Sequence, residues 1–526
     1  MQSEEIQALR KELSLEKNLD IPIESILKQI EIFEKGIPSL KLFKPCIIGD
    51  GIKIFNDSEK EDYIRQFQSA LDEGRVIKFV PASGAASRMF QKQLAVTVDS
   101  ENYDFNFISQ KAAQGDEDYK ATLDFFNKIH HFAFFEKLKE TIIDNGRNPE
   151  DLIKSKNLFD LIKYVAEKDG LNYASIPKGS ILFHSYPDGP RTAFEEHLVE
   201  AINYSSGIDK IVKVHFTISP EHEEGVKKLF SELYSKYGKQ SWKFDIGFSF
   251  QSSETNTVSV TMDNKIFRDT DGQILFRPGG HGALLKNLND LKADIISIKN
   301  IDNIAPDHLK EETYRYKKIL GGYLIYLQNK IFEILLKLEG DVASEKIIDD
   351  AAAFINSEFE IDLSSKLKTK STDEKKNYLF DFLNRPIRVC GMVKREGHPG
   401  GNPFWVEDEH GEISKQIVET AQVDLSNKKQ AEIFDESTHF NPVDLACGIK
   451  DYKGNVFDLK KYSNPNTGLI TIKSKDGREL KALELPGLWN GGMYHWLTVF
   501  VEVPKITFNP VKEINDLLKP EHQPKR

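Results

Sequence analysis

At 526 residues the chain exceeds what one simple core usually supports, so a large central domain carrying a helical extension or insertion is expected. Apolar residues make up 39% and charged residues 29%, which excludes a disordered chain, and the net charge of −11 excludes a general nucleic-acid or anionic-membrane surface, because phosphate-backbone binding needs a concentrated positive field. A small anion held by a local pocket of Lys and Arg stays open. Three widely spaced cysteines (Cys46, Cys390 and Cys447) fit reduced core thiols; the charged N-terminus lacks the apolar run of a signal peptide, and no stretch approaches the length of a membrane span, so a cytoplasmic protein with no membrane or nucleic-acid partner is expected.

In chain order, residues 1–74 read as an N-terminal helical extension, with helix-periodic SEEIQALRKELSL and EDYIRQFQSALDEG, the second closed by Gly74 at a helix C-cap. At 75 the character changes: RVIKFV is a short β-rich run that feeds the small-residue turn PASGAASRM, the opening of an α/β domain expected over 75–526. From about 91 to 176 the sequence is mostly helical and reads as an insertion. Strand-like IVKVHFTIS, WKFDIGFSFQ, NTVSVTM and ADIISIKNID then alternate with helical segments, predicting a mainly parallel sheet with helices on both faces. A long helix over 306–338 and a second in AAAFINSEF lead to a C-terminal portion, about 385–526, rich in strands such as IRVCGMVKR, FWVED and WLTVFVEVP.

Three segments carry candidate chemistry. In VPASGAASRM, the small residues Ala82, Ser83, Gly84, Ala85, Ala86 and Ser87 let backbone amides approach a phosphate, and Arg88 adds a fixed charge; an ordinary tight turn reads the same way. In RPGGHGALLKNL, Gly279, Gly280 and Gly282 precede a helix whose first amides can face an anion or a nucleobase edge, with His281 as a ligand group or a solvated side chain. In ADIISIKNIDNIAPD, a buried-looking strand ends in Asn300, Asp302 and Asn303; open α/β folds hold ligands at such strand ends, and Asp is the hard oxygen donor that magnesium prefers, although an Asx turn or helix cap before Pro306 has the same spacing.

The order GGHG, helix, strand, NIDN and, much later, FNPVKEINDLL resembles the UDP-glucose pyrophosphorylase family, which pairs a glycine-histidine-glycine turn with an Asn-x-Asp-Asn strand end and closes its catalytic domain with a Phe-x-Pro-Val-Lys run like 508–512. QIVETAQVDL resembles the family's Leu-Glu-x-Ala-Gln-Val stretch at Glu419, and THFNPVDLACG its Phe-Asn strand at Phe440 and Asn441. The opening turn resembles the glycine-rich signature of sugar nucleotidyltransferases, with Ser83 and Ala86 in place of glycines, and IPKGSILFHSY resembles their Pro-Lys element at Pro177 and Lys178. The resemblance covers roughly 76–518, and the whole chain looks like a bacterial branch of this superfamily that carries PASGAASRM and GLWNGGM.

That resemblance implies a Rossmann-like, GT-A-type α/β fold and a sugar-1-phosphate nucleotidyltransferase acting on a nucleoside triphosphate, UTP favoured, and a sugar 1-phosphate with Mg²⁺. It also implies residue roles. Arg88, Lys178 and Lys512 would meet phosphates; Asp302, with Asn441 or Asp444, would hold the metal; Gln251 and the 279–282 turn would face the base beside the 82–87 turn; Asn303, Glu419 and Asn490 would meet the sugar. Lys512 as a surface charge, Gln251 as a strand-edge cap, Asn490 as a turn former and Asp444 as a structural group are the plain alternatives. A glycosyltransferase consuming a nucleotide sugar, or a non-catalytic nucleotide-sugar-binding protein, would use a related fold.

Overall fold

A computed structural model describes residues 3–16, 21–84, 86–97, 104–340, 344–395 and 400–525. The chain is a mixed α/β protein whose contacts divide it into two compact units: Met1–Ala70, Gln251–Ile298 and Lys318–Val503 form the first, and Leu71–Phe250, Lys299–Lys317 and Pro504–Arg526 the second.

The second unit is built on three parallel strands, Val76–Pro81, Ile211–Thr217 and Lys243–Ser249, with Phe79 opposite His215 and Val214 opposite Ile246. Val76, Phe79 and Val80 of the first strand and Val212, Val214 and Phe216 of the second are buried, while Phe244, Ile246 and Phe248 of the third are only partly buried against a core shared with helices. The segment read as a helical insertion runs as six helices from Gln91–Thr97 to Leu158–Ala166, several started by side-chain caps: Asp104 accepts from Phe107 N–H, Asp116 from Tyr119 N–H and Asn148 from Glu150 N–H ahead of Pro149. Their apolar faces share one core with the strands and with Val511, Ile514 and Leu517 of the C-terminal run.

The helix Ala193–Tyr204 breaks the amphipathic rule. Glu195, Glu196, His197 and Glu200 are all buried on it. Lysines from other segments make this tolerable: Glu200 accepts from Lys78 (3.0 Å) and Lys299 (2.7 Å), and Glu196 from Lys310. Burial works against the Glu200 charge, yet Lys299 and Lys78 hold its carboxyl well below the usual range, while burial brings the Lys78 ammonium down to about 7.

In the first unit the strands Ile47–Ile48, Gly51–Lys53, Leu497–Glu502 and Ile387–Lys394 pair in parallel in that order; Asp444–Gly448 then pairs antiparallel with Ile387–Lys394, followed by Ile295–Lys299. Two further antiparallel sheets lie in this unit. One orders Lys41–Pro45, Asn402–Glu407 and Ile413–Val418; the other orders Phe276–Arg277, Thr257–Val260, Arg478–Glu484 and Leu469–Lys475. The second of these packs on the helix Ile23–Lys35 through Val258, Val260, Leu483 and Phe33.

Two expectations are corrected here. The 1–74 stretch carries strands at Lys41–Pro45, Ile47–Ile48 and Gly51–Lys53 between its helices, because partners distant in sequence complete these very short ladders. One helix, within Asp307–Glu339, is long and apolar enough by length and composition to cross a membrane, contrary to the expectation that no stretch approached this; 61% of its most apolar window is buried inside the protein.

Candidate functional site

The sequence-predicted residues fall into two groups, one in each unit. In the second unit, four segments far apart in sequence meet. The Lys178 Nζ donates to Asp302 Oδ2 (3.1 Å) and to the Val511 carbonyl (2.9 Å), and Val511 N–H donates to the Asp302 carbonyl (2.9 Å). Lys178 and Asp302 keep side-chain exposures of 16% and 24%, enough to leave the pair accessible to a small ligand. The turn after Val76–Pro81 joins them: Lys178 N–H reaches the Gly84 carbonyl (3.4 Å), Ala86 N–H the Ile176 carbonyl (3.1 Å), and Ser219 Oγ the Ser83 carbonyl (2.8 Å).

Ala82 is buried and spends its N–H on Thr217, so it supports the turn rather than lining it. Ser87 and Arg88 are exposed on the short 3₁₀ turn Ala86–Phe90, and Arg88 has no ion-pair partner among the described residues. Ala85 lies outside the described residues. Lys512 is exposed, with its N–H donated to Asp516 Oδ2 (2.7 Å).

Asn303 serves the fold. It is 1% exposed, its Oδ1 accepts Asn509 N–H (2.9 Å) and its Nδ2 points to the Thr507 carbonyl (3.4 Å), which ties the strand end to the C-terminal run and leaves no amide for a sugar. His197 Nε2 donates to the Ile301 carbonyl (3.1 Å), so the buried charged helix also braces the residue before Asp302.

In the first unit the 279–282 turn is held by backbone approach. An added Cβ at Gly279 would sit 2.4 Å from the Thr255 carbonyl oxygen and one at Gly282 2.3 Å from that of Pro486, while Gly280 has φ +72°. His281 stacks on Trp489, with centroids 4.3 Å apart and planes 12° apart, and its Nδ1 accepts Leu488 N–H (3.1 Å), which leaves the proton of the neutral ring on Nε2. Burial lowers its pKa from the usual 6.5, outweighing Glu419 and Glu484, so the ring is neutral at pH 7.

Glu419 Oε1 lies 3.9 Å from His281 Nε2 and accepts from Asn490 Nδ2 (2.7 Å). Among the described residues, Asn490 Oδ1 and Gln251 Nε2 are buried with no hydrogen-bond partner, the sort of polar atom a ligand completes. Asn441 is occupied: its Nδ2 donates to the Gly391 carbonyl (2.9 Å) and its Oδ1 accepts Val443 N–H (3.1 Å). Asp444 is 2% exposed on its strand.

Asn441 and Asp444 belong to the first unit and Asp302 to the second. Among the described residues no group of three or more His, Cys, Asp or Glu is placed to hold a metal ion.

Sequence reasoning missed Arg388, which is fully buried. Its Nη1 donates to the Trp489 carbonyl (2.6 Å), its Nε to Thr498 Oγ1 (2.8 Å) and its Nη2 to Gln416 Oε1 (3.4 Å), so one fork fixes the loop that carries Trp489 and Asn490. A lone Arg in an otherwise apolar strand, IRVCGMV, was the available signal.

The chain belongs to the family described as a domain of unknown function, DUF4301, which it matches over residues 10–523. Solved structures to which it is similar are UDP-sugar pyrophosphorylases. They include UDP-glucose pyrophosphorylase from Leishmania major, at 12% identity with 98% of this chain and 79% of that one covered and a TM-score of 0.44. Another is the uridine diphosphate N-acetylglucosamine pyrophosphorylase from Trypanosoma brucei, at 12% identity, 94% and 74% coverage and a TM-score of 0.45. Among curated proteins it is 23% identical over 343 residues to one subunit of an ATP-dependent helicase/deoxyribonuclease of Streptococcus agalactiae; that match takes in 63% of this chain and spans only 28% of the relative's length.

Proposed function

We propose that this chain is a cytoplasmic sugar-1-phosphate nucleotidyltransferase of GT-A type, forming a nucleotide sugar and pyrophosphate from a nucleoside triphosphate, UTP favoured, and a sugar 1-phosphate. The observation that carries the reading is the Lys178–Asp302 pair seated on the Val511 carbonyl. It joins the Pro-Lys element, the Asn-x-Asp-Asn strand end and the Pro-Val-Lys run, three motifs to which the resemblance assigns phosphate and metal contacts.

In the proposed reaction the sugar phosphate oxygen bonds to the α-phosphorus in line as the bond to pyrophosphate breaks, and no covalent nucleophile on the protein is required. Lys178 leaves Asp302 for the phosphates, Arg88 and Lys512 add positive charge, and the amides of Ser83 and Gly84 face the anion. Gln251 and the His281 turn take the base, while Glu419 and Asn490 take sugar hydroxyls; both groups offer unmatched or shared polar atoms for this purpose.

The donor set fits magnesium that arrives with the nucleotide. Magnesium is usually held by one or two carboxylates together with water and substrate phosphates, so a single partly exposed Asp302 would meet its needs without a protein cage. When bound there, the ion would neutralise and polarise the phosphates.

The test is pyrophosphate release by the full chain from nucleoside triphosphates paired with a panel of sugar 1-phosphates and MgCl₂. Asp302→Asn should lower release about 10²- to 10³-fold, the scale of losing a preorganised electrostatic group, with unfolding midpoints close to wild type. Turnover of Asp302→Asn near the wild-type rate would reject the assignment. Return of triphosphate from a nucleotide sugar and pyrophosphate separates this activity from a glycosyltransferase.

A further inference from the structure

Within the first unit a cavity of about 90 Å³ is lined by Arg385, Trp496, Tyr494, Lys366, Glu412 and Asp408, among others, none of them part of the nucleotide and sugar sites. We propose that this cavity is a binding site for a small oxyanion, an inorganic phosphate or the carboxylate of a small acid. The proposal does not depend on the nucleotidyltransferase reading.

Two donors in the wall lack acceptors. Arg385 lies between the helix Thr372–Leu383 and the strand Ile387–Lys394, its guanidinium 5.2 Å above the Phe382 ring. Its Nε donates to the Asp381 carbonyl (3.1 Å), but among the described residues its two terminal nitrogens make no hydrogen bond and no carboxylate reaches it in an ion pair. Trp496 is 5% exposed, and its Nε1, which can only donate, is buried without a partner among the described residues. An unmatched buried donor costs about 1–3 kcal/mol, so Trp496 Nε1, in the same wall as the half-buried Arg385 guanidinium, marks a place that an acceptor from outside completes.

The acceptor is an anion because the acidic groups of the wall are already engaged. Glu412 is paired with Lys366 (2.6 Å), and Asp408 Oδ1 accepts the N–H groups of His410 and Glu412 (2.8 Å each). That leaves the Arg385 fork, whose planar geometry matches phosphate and carboxylate oxygens.

The test is calorimetric titration and thermal melting of the full chain in chloride buffer at fixed ionic strength, with sodium phosphate and, separately, sodium acetate as probes. One probe should bind saturably at one site and raise the melting temperature; which of the two does so distinguishes phosphate from carboxylate. Arg385→Gln should weaken binding by about tenfold or more, and Trp496→Phe by about two- to tenfold. Glu412→Gln, which removes a negative charge without removing a donor, should tighten it, and this keeps the test meaningful if Arg385→Gln fails to fold. Absence of saturable binding of either anion to the wild type overturns the proposal. So does binding that Arg385→Gln leaves intact but Lys178→Met abolishes, since that places the anion at the Lys178 site.

Discussion

The two candidate regions are held by opposite physics. Around Lys178, Asp302 and Val511, segments separated by more than a hundred positions are tied by charge and by backbone hydrogen bonds, with buried lysines and glutamates behind them. Around His281, Trp489 and Asn490, the ties are steric: glycines let one backbone touch another, an aromatic pair stacks, and one buried arginine fixes the loop. A region organised by charge should answer to pH, and a region organised by close approach should answer to added volume.

The largest expected effect is acid destabilisation of the charged region. His522 Nδ1 and His184 Nε2 share a hydrogen bond (2.9 Å), and His184 Nδ1–H donates to Glu196 (2.8 Å), which also accepts from Tyr186 (2.6 Å) and Lys310. Burial, with His184 next, lowers the His522 pKa from 6.5 to about 3. Burial opposes the Glu196 charge, but Lys310 and then His184 bring its pKa from 4.5 to about 2. The unfolded chain takes up a proton on this histidine near 6.5 and the folded chain only near 3, so its contribution is full above pH 6.5 and is lost as pH falls toward 3. The Glu196 contribution is present above 4.5 and is lost toward 2. Unfolding free energies from urea titrations between pH 8 and pH 4 should fall steadily below about 6.5, by an amount on the order of 4 kcal/mol. His522→Phe should flatten the upper part of that slope, and a wild-type profile already flat between pH 6.5 and 4.5 would show that charge does not organise this region.

Next in size is Arg388→Lys. A single ammonium cannot span Trp489, Thr498 and Gln416 as the guanidinium does, so at least one buried acceptor is left unmatched, at about 2–3 kcal/mol. Hydrogen exchange at residues 488–492 should quicken along with the loss of stability. Unchanged exchange there would mean that the loop is held by the glycine contacts alone.

Legibility in the sequence followed the same division. The strand Ile295–Lys299 and its polar end were readable because an isoleucine-rich run, IISI, gives way to polar residues from Lys299 to Asn303, and the long helices were readable from their period. That Lys178 would meet Asp302 lay beyond spacing, since 124 positions separate them; only the resemblance pointed to it. The burial of the charges on Ala193–Tyr204 left no mark in the sequence, because the lysines that neutralise them lie on other elements. The strands at Lys41–Pro45, Ile47–Ile48 and Gly51–Lys53 were passed over when 1–74 was read as a helical extension, being too short to show a period of two. The hairpin Leu469–Lys475 to Arg478–Glu484 did carry a signal, Asp476-Gly477, with φ values of +52° and +73°, as a two-residue turn between twisted strands demands.

The smallest effects discriminate best between the regions, because the same substitution is made in each glycine-containing turn. Gly282→Ala would place a methyl 2.3 Å from the Pro486 carbonyl oxygen and 2.9 Å from that of Leu485, both backbone atoms that cannot swing away, and should cost about 2 kcal/mol in urea unfolding. Gly84→Ala places the methyl where no atom lies within 4 Å, at a backbone angle that other residues adopt, so stability should change by no more than about 0.5 kcal/mol. If the Ser83 and Gly84 amides face a phosphate, the methyl at 84 should nevertheless weaken triphosphate binding while the melting temperature of the unliganded chain stays put. Equal stability losses in the two variants would break the comparison, because the 82–88 turn would then be held by packing just as the His281 turn is.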